Sequence, residues 1–349
     1  MGDAIVGVVA NPLSGRDIRR LVTHASVFPT AEKASMIQRM LTAFGAVGVH
    51  RVLLSTDLGG ISAAVFRAVG RHRAHGPDGR WPEVEFLDGQ PIRQTAQDTV
   101  DAVGRMVTAG ARVIVCLGGD GTARVTAAAA GDVPMLALST GTNNVFPAVR
   151  EATTAGLAAG LVAVGAVPPG RATARAKLLE VRVGGRAEVA LVDVAVSTER
   201  HVAARALWKP ATLTQLFCAF AEPDAIGLSS ILGQLSPVGR RDPHGVTARL
   251  VPGAPRQVLA PIAPRLVVPV GVSEVEPMVP GAVHDVEARA GVIAVDGERE
   301  LTFEPGERPE VRLRADGPRC IDVLAVLAAS ARLGLLRVDE GRHYRGGST

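Results

Sequence analysis

Aromatic residues make up only 3% of this 349-residue chain, so few side chains are available as stacking platforms for exposed bases. Lysine is scarcer still. Lys33, Lys177 and Lys209 are the only three, and almost all positive charge is arginine, spread along the chain rather than gathered on one face. The net charge of +4 therefore reads as composition, and nucleic acid is not expected as a partner. Cysteine occurs three times, at Cys116, Cys218 and Cys320, an odd and scattered set that excludes a disulfide framework or a zinc knuckle. No run approaches the ~20 uninterrupted apolar residues of a membrane span. Neither a basic amphipathic helix nor an apolar docking loop is evident, so no membrane partner is expected. The first residues enter a strand-like segment with no basic region ahead of it, so no secretory signal is expected and the cytoplasm is the default.

What is present is a 47% hydrophobic chain, long enough for two cores. Over the first part, short apolar runs at 5–10, 51–55, 84–87, 113–117 and 135–138 alternate with helical spacing, as at Ile37, Met40, Leu41 and Phe44. That alternation predicts a parallel sheet covered on both faces, with ligands bound beyond the carboxyl ends of its strands, where Asn11, Ser55, Gly118 and Ser139 fall. A helix over 151–167 stops at Pro168-Pro169-Gly170. Beyond it the pattern becomes antiparallel β, beginning with a hairpin turned at Gly184-Gly185, and 321–336 returns to helical periodicity. The expected domains are 1–167 with 319–338 and 171–318, followed by a mobile tail over 339–349.

The densest signal is the strand 113–117 running into Gly118, Gly119, Asp120, Gly121 and Thr122. Glycines let backbone N–H groups approach an anion, and a following helix turns its positive end toward it. A carboxylate there repels phosphate unless it holds Mg²⁺ or takes a proton from an attacking hydroxyl, and both are phosphoryl-transfer roles. Asn11, Ser14 and Gly15 follow the first strand with donors suited to phosphate or an adenine edge. Thr140, Gly141, Thr142, Asn143 and Asn144 follow another with uncharged hydrogen-bonding groups suited to ribose and phosphate. Asn144 also suits a helix cap before Phe146-Pro147-Ala148. Asp296-Gly297 reads first as a hairpin turn, which leaves Glu298 to face Asp120 across a cleft. His72 and His75 are expected in a solvated loop, and Lys177 on a strand surface, with a phosphate contact as the alternative.

Together these motifs resemble the superfamily of ATP-NAD kinases and diacylglycerol- or sphingosine-type lipid kinases, whose hallmark is the Gly-Gly-Asp-Gly-Thr run. Residues 11–28 and 139–147 resemble its acetoin-catabolism protein X branch. The resemblance implies an N-terminal parallel α/β domain, a C-terminal β-sandwich-like domain, an ATP site between them and a C-terminal helix returning to the first domain. It makes Asp120 the essential carboxylate, with Glu298 as the alternative base and Asp120 and Asp296 as metal ligands. It places Gly118, Gly119, Gly121 and Thr122 around the phosphates, and Thr142, Asn143 and Asn144 along the nucleotide. It implies ATP and Mg²⁺ as cofactors and a homo-oligomer, dimer or tetramer. NAD kinases carry an Asn-Glu pair where this chain has Val192-Asp193, which leaves Asp193 as the acceptor-binding candidate and puts NAD as acceptor in question. The expected activity is ATP-dependent phosphorylation of a hydroxyl on NAD or another soluble small metabolite. The alternatives are a catalytically inactive nucleotide-binding regulator and a diacylglycerol-like lipid kinase.

Overall fold

A computed structural model describes residues 3–15, 28–75, 80–141, 143–199 and 209–338. Thr142 and the expected tail over 339–349 lie outside the described residues. In the first half, β1 (Ile5–Ala10), β2 (Arg51–Ser55), β3 (Glu83–Leu87), β4 (Val113–Gly118) and β5 (Met135–Ser139) form a parallel sheet in the order β3-β2-β1-β4-β5. Helices α1 (Thr30–Ala46), α2 (Ile61–His75), α3 (Ala96–Thr108), α4 (Asp120–Ala130) and α5 (Ala152–Ala163) connect and cover it. Every residue of β1 and β4 is buried, which is why these strands read as continuous apolar runs rather than alternating ones. Helix α1 buries Met36, Ile37, Met40, Leu41 and Phe44, and packs against α5. Their closeness needs glycine: a Cβ at Gly160 would stand 2.5 Å from Val47 Cγ2. Contrary to the loop expected there, α2 continues to His75, and His72 stacks on Trp81 with ring centroids 4.2 Å apart.

After Pro168 the chain passes through α6 (Pro169–Ala172) and β6 (Thr173–Arg175) into the β-rich half. Strands β7 (Leu178–Val183) and β8 (Arg186–Ala190) form the hairpin that the double glycine predicts, with Gly184 at φ 58°. There follow β9 (Asp193–Ser197), β10 (Leu213–Cys218), α7 (Ser229–Gly233), β11 (Gly245–Leu250), β12 (Gln257–Ala263) and β13 (Leu266–Met278). Strands β14 (Val283–Asp285), β15 (Gly291–Val295), β16 (Glu298–Phe303) and β17 (Glu310–Arg314) complete it. They make two antiparallel sheets, β12-β13-β11-β10-β9-β15-β16 and β14-β17-β7-β8. Val181 and Leu313 of the smaller sheet share one core with Val194, Phe217 and Ile293 of the larger. The sandwich is thus closed by burial of the inward face of each sheet.

The chain then returns. Strand β18 (Arg319–Ile321) pairs parallel with β5 and antiparallel with β6, extending the first sheet, and α8 (Val323–Leu333) packs on α5 and α6. Ile114, Cys116 and Met135 of the first sheet belong to the same core as the sandwich residues. The apolar core thus continues from one face of the first sheet into the sandwich.

Candidate active site

A cleft of about 590 Å³ opens at the carboxyl ends of β1, β2 and β4, walled on the other side by the β15–β16 hairpin. It collects Asn11, Ser14, Gly15, Gly119, Gly121 and Thr122. Asp120, Gly141, Asn144, Asp296 and Glu298 line it as well.

The loop after β1 is built around two amides and a buried ammonium. Asn11 Nδ2 donates to Thr122 Oγ1 at 2.9 Å, and Leu13 N donates to Asn11 Oδ1 at 2.8 Å, an Asx turn that fixes the side chain. Lys33, 1% exposed, reaches from α1 to donate to the carbonyls of Asn11 at 2.9 Å and Ser14 at 3.0 Å. Ser14 Oγ and Thr140 Oγ1 are 2.8 Å apart, joining this loop to the end of β5.

At the end of β4, the turn is too tight for any side chain. A Cβ on Gly118 would lie 2.5 Å from Thr122 Cβ, and one on Gly119 would lie 2.8 Å from Asn144 Oδ1. Asn144 sits between Gly119 and Gly141, donating from Nδ2 to Ser139 Oγ at 2.8 Å and to Gly118 O at 3.4 Å. It therefore ties the ends of β4 and β5 together, and no helix starts after it. Helix α4 begins at Asp120, so Asp120, Gly121 and Thr122 form its first turn, where N–H groups lack intrahelical acceptors and the dipole favours anions. The Asp120 carboxylate accepts from Val145 N at 3.1 Å and Phe146 N at 2.8 Å. These bonds hold the irregular segment after β5 against α4.

Across the cleft, Asp296 and Gly297 have φ of 49° and 76°, the positive pair that a two-residue hairpin turn requires. Asp296 is 7% exposed and accepts from the amides of Leu191 at 3.1 Å, Val192 at 2.8 Å and Asp193 at 3.4 Å. Burial raises its acid range, against the pull of Arg124 and the amides. Arg124 of α4 is the hinge of charge between the halves: its guanidinium reaches Glu300 at 2.8 Å, Glu188 at 3.4 Å and Asp296 at 3.8 Å. That clamp presents Glu298 over the glycine turn, with Glu298 Oε1 3.6 Å from where a Gly121 Cβ would stand.

Not every residue singled out by the sequence reaches the cleft. Thr140 is fully buried behind it, and Asn143 is turned to Ile262 O at 3.3 Å. Asp193 is buried at the start of β9, with its backbone engaged by Asp296 rather than open to an acceptor. Asp296 does line the cleft, but its carboxylate is taken up by the three backbone amides and faces Arg124, and among the described residues no three His, Cys, Asp or Glu side chains are grouped to hold a metal ion. Lys177 is not a surface residue: it is 6% exposed, donates to Gly239 O and His244 O, and burial lowers its pKa to about 8. Sequence reasoning missed Arg124, Lys33, Glu300 and the Asp57-Leu58-Gly59 turn that lines the cleft after β2. The last carries a signal, since it follows Ser55 just as the other loops follow their strands.

Residues 6–167 match the ATP-NAD kinase N-terminal domain, and residues 177–316 match the acetoin catabolism protein X C-terminal domain. The crystal structure of yeast NADH kinase complexed with NADH aligns with a TM-score of 0.48 at 14% identity, over 99% of this chain and 91% of that one. Acetoin catabolism protein X of Cupriavidus necator is 42% identical over 340 residues, which cover 95% of this chain and 94% of that protein. A match of that depth along nearly the whole length, with the two domain families in the same order, places the chain in the acetoin catabolism protein X family.

Proposed function

We propose that the cleft performs ATP-dependent phosphoryl transfer to a hydroxyl of a soluble small metabolite, with NAD as one candidate acceptor. The observation that carries this reading is the position of Glu298 over Gly121, in the first turn of an eleven-residue helix. Phosphate held by N–H groups and carboxylate poised for a hydroxyl proton are the two parts that phosphoryl transfer needs.

The residues fit the nucleotide. The gap between Gly121 and Glu298 is one that a Cβ would begin to fill, and Asn11 and Thr122 stand beside it with a hydroxyl and an amide. Among the described residues no three His, Cys, Asp or Glu side chains are grouped, so Mg²⁺ would be held by a protein carboxylate only in company with the bound nucleotide. Asp120 is the carboxylate that would hold it, and the ion supplies charge neutralisation when bound. Glu298 then serves as the base. It would take the proton from the acceptor hydroxyl as that oxygen bonds to the γ-phosphorus and the bond from that phosphorus to the departing ADP breaks, while Asp120 keeps the segment after β5 in place. A dimer or tetramer belongs to the same reading and rests on the resemblance.

A product screen with ATP, Mg²⁺ and hydroxylated metabolites including NAD and NADH tests this, read together with thermal shift. A nucleotide at 100 times its dissociation constant stabilises the fold by about 2.7 kcal/mol. Stabilisation without any phosphorylated product across the panel supports a nucleotide-binding regulator instead.

A further inference from the structure

Asp120 is held through two backbone amides, and the same two residues are held from the other side. Arg240, in the segment between α7 and β11, donates from Nη1 to Phe146 O at 2.9 Å and from Nη2 to Val145 O. Its third nitrogen is also taken, Nε lying 3.0 Å from Glu222 Oε2, and its Cζ lies over the Phe220 ring, 4.4 Å from the centroid. Val145 and Phe146 thus stand between a carboxylate on their N–H groups and a guanidinium on their carbonyls. The Val145–Phe146 peptide unit carries both ends of this arrangement, its carbonyl accepting from Arg240 and its N–H donating to Asp120, so on that unit each charge strengthens the other's hydrogen bond.

We infer that Arg240 is a positioning residue for Asp120, acting from the β-rich half through Val145 and Phe146. Its catalytic consequence rests on the phosphoryl-transfer reading, whereas the coupling itself does not. The guanidinium suits this task because its fork spans two carbonyls, which a lysine ammonium on a flexible stem does not reproduce.

The test is backbone amide hydrogen exchange at Val145 and Phe146 in the full chain, compared among wild type, Asp120→Ala, Arg240→Gln, Arg240→Lys and the double variant. Arg240→Gln is expected to speed exchange at these two amides about tenfold or more, and the double variant no further than the larger single change. Arg240→Lys falls between, and carries the test if Arg240→Gln does not fold. Arg241→Gln, which breaks only the neighbouring pair with Asp322, leaves the two amides as they are. With ATP and Mg²⁺, Arg240→Gln lowers kcat while KM for ATP stays within about twofold, since the residue touches no part of the cleft. Unchanged exchange at both amides, or fully additive effects of the two single changes, overturns the inference. Absence of turnover in wild type overturns the phosphoryl-transfer reading alone, because the exchange result stands without it.

Discussion

Glu298 and Gly121 meet across the two halves of the molecule, the carboxylate Oε1 standing 3.6 Å from the position a Gly121 Cβ would take. In the proposed reaction a phosphate approaches the first turn of α4 at this gap. Gly121→Ala is expected to leave folding stability unchanged or to raise it by up to about 1 kcal/mol, since alanine is the better helix former. Nucleotide affinity is expected to fall on the order of tenfold, a loss of about 1.4 kcal/mol. Urea denaturation and calorimetric titration with ATP and Mg²⁺ separate the two effects.

Arg124 is the guanidinium that answers Asp296, Glu188 and Glu300 at the base of the cleft, and its side chain is 10% exposed. Arg124→Met leaves the buried Asp296 without its nearest countercharge, at an expected cost of about 3–5 kcal/mol in unfolding free energy. Asp296→Asn added to it recovers part of the loss by removing the charge. Denaturant midpoints of the single and double variants measure both.

Asn144 fills the space between Gly119 and Gly141 so closely that Gly119→Ala must displace it, breaking its bond to Ser139 Oγ. The expected penalty is about 1–3 kcal/mol. In an Asn144→Ala background the same change meets an empty space and costs less. A double-mutant cycle on stability reads the difference as a coupling energy, and additivity would show that the contact does not matter.

Lys177 has a folded-state pKa of about 8, below the usual 10.5, because burial disfavours its charge. Below pH 8 the folded and unfolded chains both carry this proton, so its contribution to stability does not vary with pH. Between about 8 and 10.5 the unfolded chain holds a proton that the folded chain has released, so stability gains with rising pH. Relative to Lys177→Met, wild type is therefore expected to gain stability over that window. Parallel denaturation series of the two proteins from pH 7 to 10 check the sign.

Much of this architecture was legible because it depends on local signals. The fully apolar β1 and β4, the Gly184-Gly185 and Asp296-Gly297 turns, and the polar residues at strand carboxyl ends each have a short-range physical cause. What stayed hidden depends on partners far apart in the chain. Arg124 looks like any helix residue until Glu188 and Glu300 arrive from the other half, and Lys33 until the loop after β1 folds over it. The same holds for Asp120 and Asp296. Residue type and spacing mark both as chemically active, but only the fold shows backbone amides closing on their carboxylates.

The central claim is that Glu298 deprotonates a hydroxyl while the first turn of α4 holds the phosphates. The direct measurement is ³¹P NMR of ATP, Mg²⁺ and an acceptor panel incubated with wild type and with Glu298→Gln. Wild type is expected to yield a phosphorylated acceptor. Glu298→Gln is expected to bind nucleotide with affinity within about twofold and to lose 10²-fold or more in turnover. Equal turnover by the two proteins would contradict the assignment of Glu298 as the base, and nucleotide binding by wild type without phosphorylation of any acceptor would contradict phosphoryl transfer itself.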